Sequence, residues 1–357
     1  MQCHHQWATR PADERFTSLT EMHGALTAIR ERSRATVVPS KSIKAMPAPD
    51  NKGLLIEGPT GRGYAPTHWA FGQLATLGGA PGGYLRELPS PLAADCINYG
   101  LQVARDVSDV GVLVYDNGEP IFRAATGPQY GRIWNADIVR ALIERIGDGV
   151  TGRWKVPGEW GKAVQVTKEN TTLYASDRDM FIFLADEENR VELPNRRDGK
   201  TGSLARGFFT WNSEVGKSTY GLASFLFDFV CGNRIVWGAE GFTEFKIRHT
   251  SGAPERFIEE VKPALLAYAN SSAHNLTNLL AEAQKKKIPD VDAFLASRFS
   301  KRMVETIKAT HVAEEARPIE TLWDASTAVT AYARGLPHQD ARVDMEREGG
   351  RILEMAA

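Results

Sequence analysis

Cysteine is scarce: Cys3, Cys96 and Cys231 are the three in 357 residues, too far apart for a Cys-x-x-Cys zinc or redox motif. An odd number suits a reducing compartment better than a disulfide framework. Cys3, His4 and His5 form the densest group of metal-ligand types, and their place near the terminus suits adventitious binding better than a structural metal site. No run approaches the ~18 uninterrupted apolar residues of a spanning helix. The longest of interest, Tyr220 to Val230, is broken by Gly, Ser and Asp. The start of the chain lacks an apolar stretch behind basic residues, so the expectation is a cytoplasmic protein without a secretory signal. Excess charge of one sign is also lacking. Lys and Arg number 43 against 44 Asp and Glu, so attraction of the whole chain to phosphates or anionic lipid is excluded and any such binding needs a local patch. Repeats of fixed period and low-complexity tracts are absent.

What is present is the composition of an ordinary folded protein, 42% hydrophobic and 24% charged, long enough for about two domains. Thr17 to Arg32 predicts a short amphipathic helix, and Val38 to Lys52, with its prolines and lysines, predicts a flexible join. Trp69, Phe71, Leu74 and Leu77 follow helical spacing up to the glycine-rich stretch at Gly78–Gly83; Leu85–Leu88 and Pro91–Val107 continue as helices. Asn117-Gly118 supplies the positive φ angles of a hairpin turn between Val110–Tyr115 and Pro120–Ala125. Asn135 is placed to cap the helix that Gly147 ends. Short strands are predicted at Ala163–Thr167, Thr171–Ala175 and Met180–Leu184, and more from Phe208 to His249, in a pleated sheet with one buried face. After Pro254 the spacing is helical to Met355. The fold class expected is therefore α+β, with N-terminal helices, a central mostly antiparallel sheet built from hairpins, and a C-terminal helical region. Its parts are residues 1–64 (helix and connector), 65–254 (helical lead-in and sheet) and 255–357 (helices packing on the sheet).

No complete catalytic signature is found. Gly216-Lys217-Ser218-Thr219 matches the end of a phosphate-cradling loop, but Trp211 stands where that loop needs its first glycine, and a strand pattern follows where it needs a helix. A hairpin turn at Glu214–Lys217 accounts for Gly216. Cys231 reads as a buried inert thiol, and Ser218, Asp228, Glu214 and His249 have no recognisable spacing for nucleophilic or acid–base work. Asn212, Glu214, Asn233, Arg248 and His249 make a polar site of unassigned use; the bland reading of His249 is a hydrogen bond at a sheet end. Arg196, Arg197, Lys200 and Arg206, with Lys217 beyond, stand beside Phe208, Phe209 and Trp211. Cations interleaved with aromatics are how proteins hold single-stranded nucleic acid, through phosphate neutralisation and base stacking. The competing reading is a solvated hairpin tip above core rings.

Three blocks, Phe208 to Gly216, Val230 to Trp237 and Ile247 to Thr250, resemble in sequence and order the phage- and plasmid-associated domain of unknown function 932. Gly127-Pro128-Gln129-Tyr130, Ile133-Trp134-Asn135, Thr321-Leu322-Trp323-Asp324 and Ala328-Val329-Thr330 are similar to its flanking motifs, so the resemblance spans about residues 65–355. It implies a mobile-element protein of the bacterial cytoplasm and carries no catalytic residue, substrate or cofactor. The leading expectation is a non-catalytic protein binding single-stranded DNA, with single-strand annealing by a homo-oligomer as its specific form. The alternatives are a protein that binds a host protein through its C-terminal helices, and an enzyme with a site near Glu214, Asp228 and His249. Neither a metal nor a cofactor is expected.

Overall fold

After a 3-10 turn at Ala12–Glu14 comes a two-residue strand, Arg15–Phe16 (β1), and Ser18 then caps the helix Leu19–Glu31 (α1), accepting the Glu21 N–H at 3.0 Å. The computed structural model describes residues 12–58, 61–103, 109–157, 165–193, 202–228, 234–236, 245–270, 274–337 and 339–356. The segment expected to be a flexible join, Val38–Lys52, instead carries the end of one strand, a 3-10 turn at Ser40–Ser42 and a second strand. Ser33–Pro39 (β2), Lys44–Pro47 (β3), Leu54–Glu57 (β4) and Gly63–Pro66 (β5) are strands. β3 pairs with β4 and β4 with β5, while the partners of β2 and β5 come later in the chain, after the helices His68–Leu77 (α2), Gly82–Glu87 (α3) and Ser90–Val103 (α4): the expected hairpin, Asp109–Asp116 (β6) and Pro120–Thr126 (β7). Gly118 at the hairpin turn has φ +108°.

These strands form a six-stranded sheet in the order β2-β6-β7-β5-β4-β3. Its two end strands are joined through residues 40–43, so the sheet curls back on itself in the manner of a small open barrel. Leu74, Ile97, Val112 and Phe122 lie in its core. Asn98 on α4 clasps the outer edge of β3: its Oδ1 accepts the Ala45 N–H at 2.7 Å and its Nδ2 donates to the Ala45 carbonyl at 2.8 Å. One side chain thus does for β3 what a further strand would do.

The helix Asn135–Ile146 (α5) leads to the second sheet, whose other strands are Trp154–Lys155 (β8), Leu173–Ala175 (β9), Met180–Leu193 (β10), Gly202–Asn212 (β11), Tyr220–Asp228 (β12), Arg234–Val236 (β13) and Phe245–Ile247 (β14). All its pairings are antiparallel, in the order β1-β9-β10-β11-β12-β13, with β8 beside β10 and β14 beside β12. Asn135 is not the cap of α5. Trp134 occupies that position, and the Asn135 side chain turns to Asn212 instead.

Helices follow from Ala253: Ala253–Arg256 (α6), continued through a π-turn into Lys262–Asn270 (α7), then His274–Lys285 (α8), Val291–Ala296 (α9), Lys301–Glu315 (α10), Leu322–Arg334 (α11) and Gln339–Glu354 (α12). The protein is α+β. No helix among the described residues is long and apolar enough to cross a membrane.

The expected single buried face of the second sheet is corrected: both faces are covered. Leu184, Phe208 and Leu222 pack with Leu19, Met22 and Leu142 of α1 and α5, and with Tyr268 of α7. On the opposite face Phe183, Phe209, Trp211 and Phe225 pack with Val343 of α12. An antiparallel sheet can leave one face in water; here β11 and β12 are buried at every position. Gly221 is part of that packing, because a Cβ there would lie 1.8 Å from the Trp211 ring.

Candidate functional site

The double burial decides the fate of the cation–aromatic cluster. Phe208 and Phe209 are fully buried and Trp211 is 7% exposed. Burying such a ring stabilises the fold by about 1.5–3 kcal/mol, no less than the ~1–3 kcal/mol a stacked base would return. These rings are core and offer no stacking platform. Arg206 is 4% exposed, its Nε 3.2 Å from Asp186, and its guanidinium lies 5.5 Å and 5.2 Å from the ring centroids of Trp154 and Tyr268. It neutralises a buried carboxylate and does not reach a surface. Arg196, Arg197 and Lys200 lie outside the described residues. Lys217 stands apart from Arg206, in the turn after β11, 5.9 Å from the centroid of the Trp69 ring.

The polar site is brought together in part, as an interface between the two sheets. Glu214 is 4% exposed and both its carboxylate oxygens are engaged: Oε1 accepts the Asn135 N–H at 2.8 Å, and Oε2 is 3.0 Å from Arg123 on β7. A carboxylate at the start of α5 opposes the positive end of the helix dipole as well. Asn212 donates to the Ile133 carbonyl and to Asn135 Oδ1, at 2.8 and 2.7 Å. Arg132 donates to the Glu214 carbonyl, and the Tyr130 hydroxyl donates to that of Ser213, both at 2.7 Å.

His249 stacks on Tyr130 with ring centroids 4.8 Å apart, and its Nδ1 lies 3.0 Å from the Gly131 carbonyl. Burial lowers its pKa from the ordinary value and the Arg132 charge adds to this, opposed by the Gly131 hydrogen bond and by Glu214. The reading of His249 as a hydrogen-bonded residue at a sheet end agrees with this geometry. Arg248 is exposed in the same turn, and Asn233 is outside the described residues. The arrangement anchors the 127–135 loop to the second sheet.

Beside this anchor opens a cleft of about 800 Å³ between α2, the ends of β6 and β7, and the Gly216 turn. The turn is the one expected between β11 and β12: Gly216 has φ +83°, and the Ser213 hydroxyl accepts the Lys217 N–H at 3.0 Å. Thr67 caps α2 by accepting the Ala70 N–H at 3.1 Å, which sets His68, Trp69 and Gln73 along the cleft wall. Trp69 is half-buried, and its indole N–H donates to the Val215 carbonyl at 2.9 Å; Gln73 donates to the same carbonyl at 2.8 Å.

Arg86 of α3 also lines the cleft. Its guanidinium lies 4.8 Å from the Phe71 ring centroid and 3.3 Å from the His68 carbonyl. No carboxylate pairs with it among the described residues, and its Nε is buried with no hydrogen-bond partner among them. Leu77, Val110, Ala125 and Pro128 supply apolar wall, and Asp109 stands at the rim. A cation, an indole, an imidazole and apolar surface in a space of this size suit a planar anionic ligand. Sequence reasoning does not join Arg86 and Trp69 into one site, because they lie far from β11 along the chain. Arg86 stands out there as the one cation of the 82–88 segment, in a helix, glycine turn and short helix that tempt a helix-turn-helix reading and that local packing of small helices explains as well.

No group of three or more His, Cys, Asp or Glu among the described residues is placed to hold a metal ion. No curated protein and no solved structure gives a significant match to the chain. The match to a family model covers residues 162–350, from before β9 to near the end of α12, and so takes in the Asn212–Glu214 block while the 127–135 loop lies ahead of it. The chain belongs to the family described as domain of unknown function DUF932.

Proposed function

We propose that the protein binds single-stranded nucleic acid without chemistry, and that the strand engages the cleft beside α2, not the β11 segment. One unpaired base lies against Trp69, and its phosphate lies on Arg86 with Lys217 nearby. The observation that carries this reading is Arg86, a cation that lines the same open cleft as Trp69, with its guanidinium over the Phe71 ring and no carboxylate to neutralise it among the described residues. A base on an indole contributes about 1–3 kcal/mol whatever its identity. A role in phage or plasmid DNA metabolism, in the cytoplasm of a bacterial host and as a homo-oligomer, completes the proposal.

Fluorescence anisotropy of labelled oligo-dT and of a matching duplex, each titrated across a salt series, tests it. Tighter retention of oligo-dT is expected, with log affinity falling linearly in log salt at a slope near −0.7 per phosphate neutralised. Arg86→Glu should flatten that slope by about one such contact. Retention of neither nucleic acid overturns the proposal.

A further inference from the structure

β2 is the end strand of its sheet, pairing with β6 over its whole length from Ser33 to Pro39. Its other edge meets no strand among the described residues, whereas the opposite end strand, β3, is clasped by Asn98. The direction of its backbone groups follows from one hydrogen bond. The Asp116 N–H donates to the Arg32 carbonyl at 3.2 Å, and the register continues from Ser33 opposite Tyr115. In an antiparallel ladder bonded and non-bonded pairs alternate, so Arg34, Thr36 and Val38 bond to β6 while Ala35 and Val37 direct their N–H and C=O groups to the open edge; the Ser33 carbonyl on that side accepts from Arg34 Nη1 at 3.1 Å. Pro39 falls on the outward set, where its missing N–H costs the ladder nothing.

Arg34, Ala35, Thr36 and Val37 are exposed, Val37 at 57%. Open edges of this kind are a template for another chain, and proteins ordinarily blunt them. The surroundings select the chemistry of that chain. From Arg30 to Arg62 there are seven cations against three acids, in a molecule of net charge −1; Arg30, Lys44 and Arg62 are ion-paired with Asp137, Glu57 and Asp116, which leaves Arg32, Arg34, Lys41 and Lys52 without a carboxylate among the described residues. Arg32 and Arg34 flank one end of β2 and Lys41 and Lys44 follow the other, the two lysines at a cleft of about 600 Å³ floored by Val112 and Phe122.

We infer that β2 is a docking edge for an extended segment of a partner protein, which adds a strand beside Ser33–Pro39 and carries acidic residues on both sides of a β-branched stretch. Main-chain hydrogen bonds supply the affinity and the flanking charges supply selection. Nucleic acid, the other polyanion, has no use for a row of peptide N–H and C=O groups, and this separates the edge from the α2 cleft.

The test uses the full chain and a fluorescein-labelled peptide of alternating Thr and Val with two Glu at each end, beside a counterpart with Lys in place of Glu. Saturable binding of the acidic peptide is expected, about tenfold tighter than that of its basic counterpart. Ala35→Pro and Val37→Pro, which remove outward donors only, should each weaken it about tenfold. Arg34→Glu with Lys44→Glu, which leaves the backbone intact, should abolish the preference for the acidic peptide. Circular dichroism of each variant shows that the fold is kept. Absence of saturable binding, or binding indifferent to both proline variants, overturns the inference; so does an oligo-dT probe that competes for the edge and is equally indifferent to them.

Discussion

Arg123 and Glu214 meet at 3.0 Å with both side chains about 95% buried, one on the hairpin of the first sheet and the other in the turn that follows β11 of the second. This pair, with the Asn135 N–H on the second Glu214 oxygen, ties the two sheets and the start of α5 together. Neutralising one partner leaves the other as an uncompensated buried charge. Glu214→Gln should therefore lower the free energy of unfolding by about 3–5 kcal/mol, read by urea denaturation. Loss within a few tenths would mean that the pair is not enclosed.

Gly131 is fixed by close approach of backbone to backbone. A Cβ there would lie 1.8 Å from the Thr250 carbonyl oxygen, and its own N–H donates to the His249 carbonyl at 3.2 Å. Gly131→Ala must push the 127–135 loop from the 248–251 turn, with an expected loss of about 1–3 kcal/mol. Thermal unfolding of the variant gives the value; an unchanged midpoint would contradict the contact.

His249 makes this junction sensitive to pH. Its pKa is lowered in the folded protein by burial, with Arg132 contributing, against the Gly131 hydrogen bond and Glu214; the Tyr130 ring covers one face. The unfolded imidazole takes up its proton near the ordinary value of 6.5, and the folded one only at lower pH. Between the two the unfolded state holds more protons, so stability falls as pH drops below 6.5 and the contribution is complete above it. Denaturation midpoints at pH 7.5 and 5.5 should differ in that direction, and His249→Asn should reduce the difference. An equal difference in the variant would assign it to other groups.

Arg206 separates the core from the binding surface. Burial works against the Asp186 charge, but Arg153 and Asn189 outweigh it and its pKa is lowered; Arg206 adds a contact at 3.2 Å. A carboxyl with a lowered folded pKa gives stability that is present above the unfolded value near 3.8 and lost as pH falls through the folded one. Arg206→Met should therefore destabilise the protein and leave the salt dependence of oligo-dT binding unchanged. A flattened slope in that variant would return Arg206 to the nucleic-acid surface.

Much of the fold is legible where local chemistry decides it. The Asn117-Gly118 turn and Gly147 after α5 act within a few residues, and the elements they bound are found where the spacing places them. The strands β2 to β5 escape such reading because they are joined into the sheet through β2 on β6 and β5 on β7, partners that follow three helices later. The start of α5 escapes it for a similar reason, since Glu214 reaches it from another sheet. The candidate site was legible only as a list of polar and aromatic types. Alternation along β11 divides Phe208 from Phe209 between two faces, but nothing local to that strand tells that α12 covers the second face through Val343.

Photo-crosslinking places the strand directly. Oligo-dT carrying 5-iododeoxyuridine, irradiated with the full chain and mapped by mass spectrometry, should attach to the peptide containing Trp69, with yield falling sharply in Trp69→Phe and Arg86→Glu. Attachment confined to β11 or to the C-terminal helices, or a yield unchanged by both substitutions, would contradict a base-binding cleft beside α2.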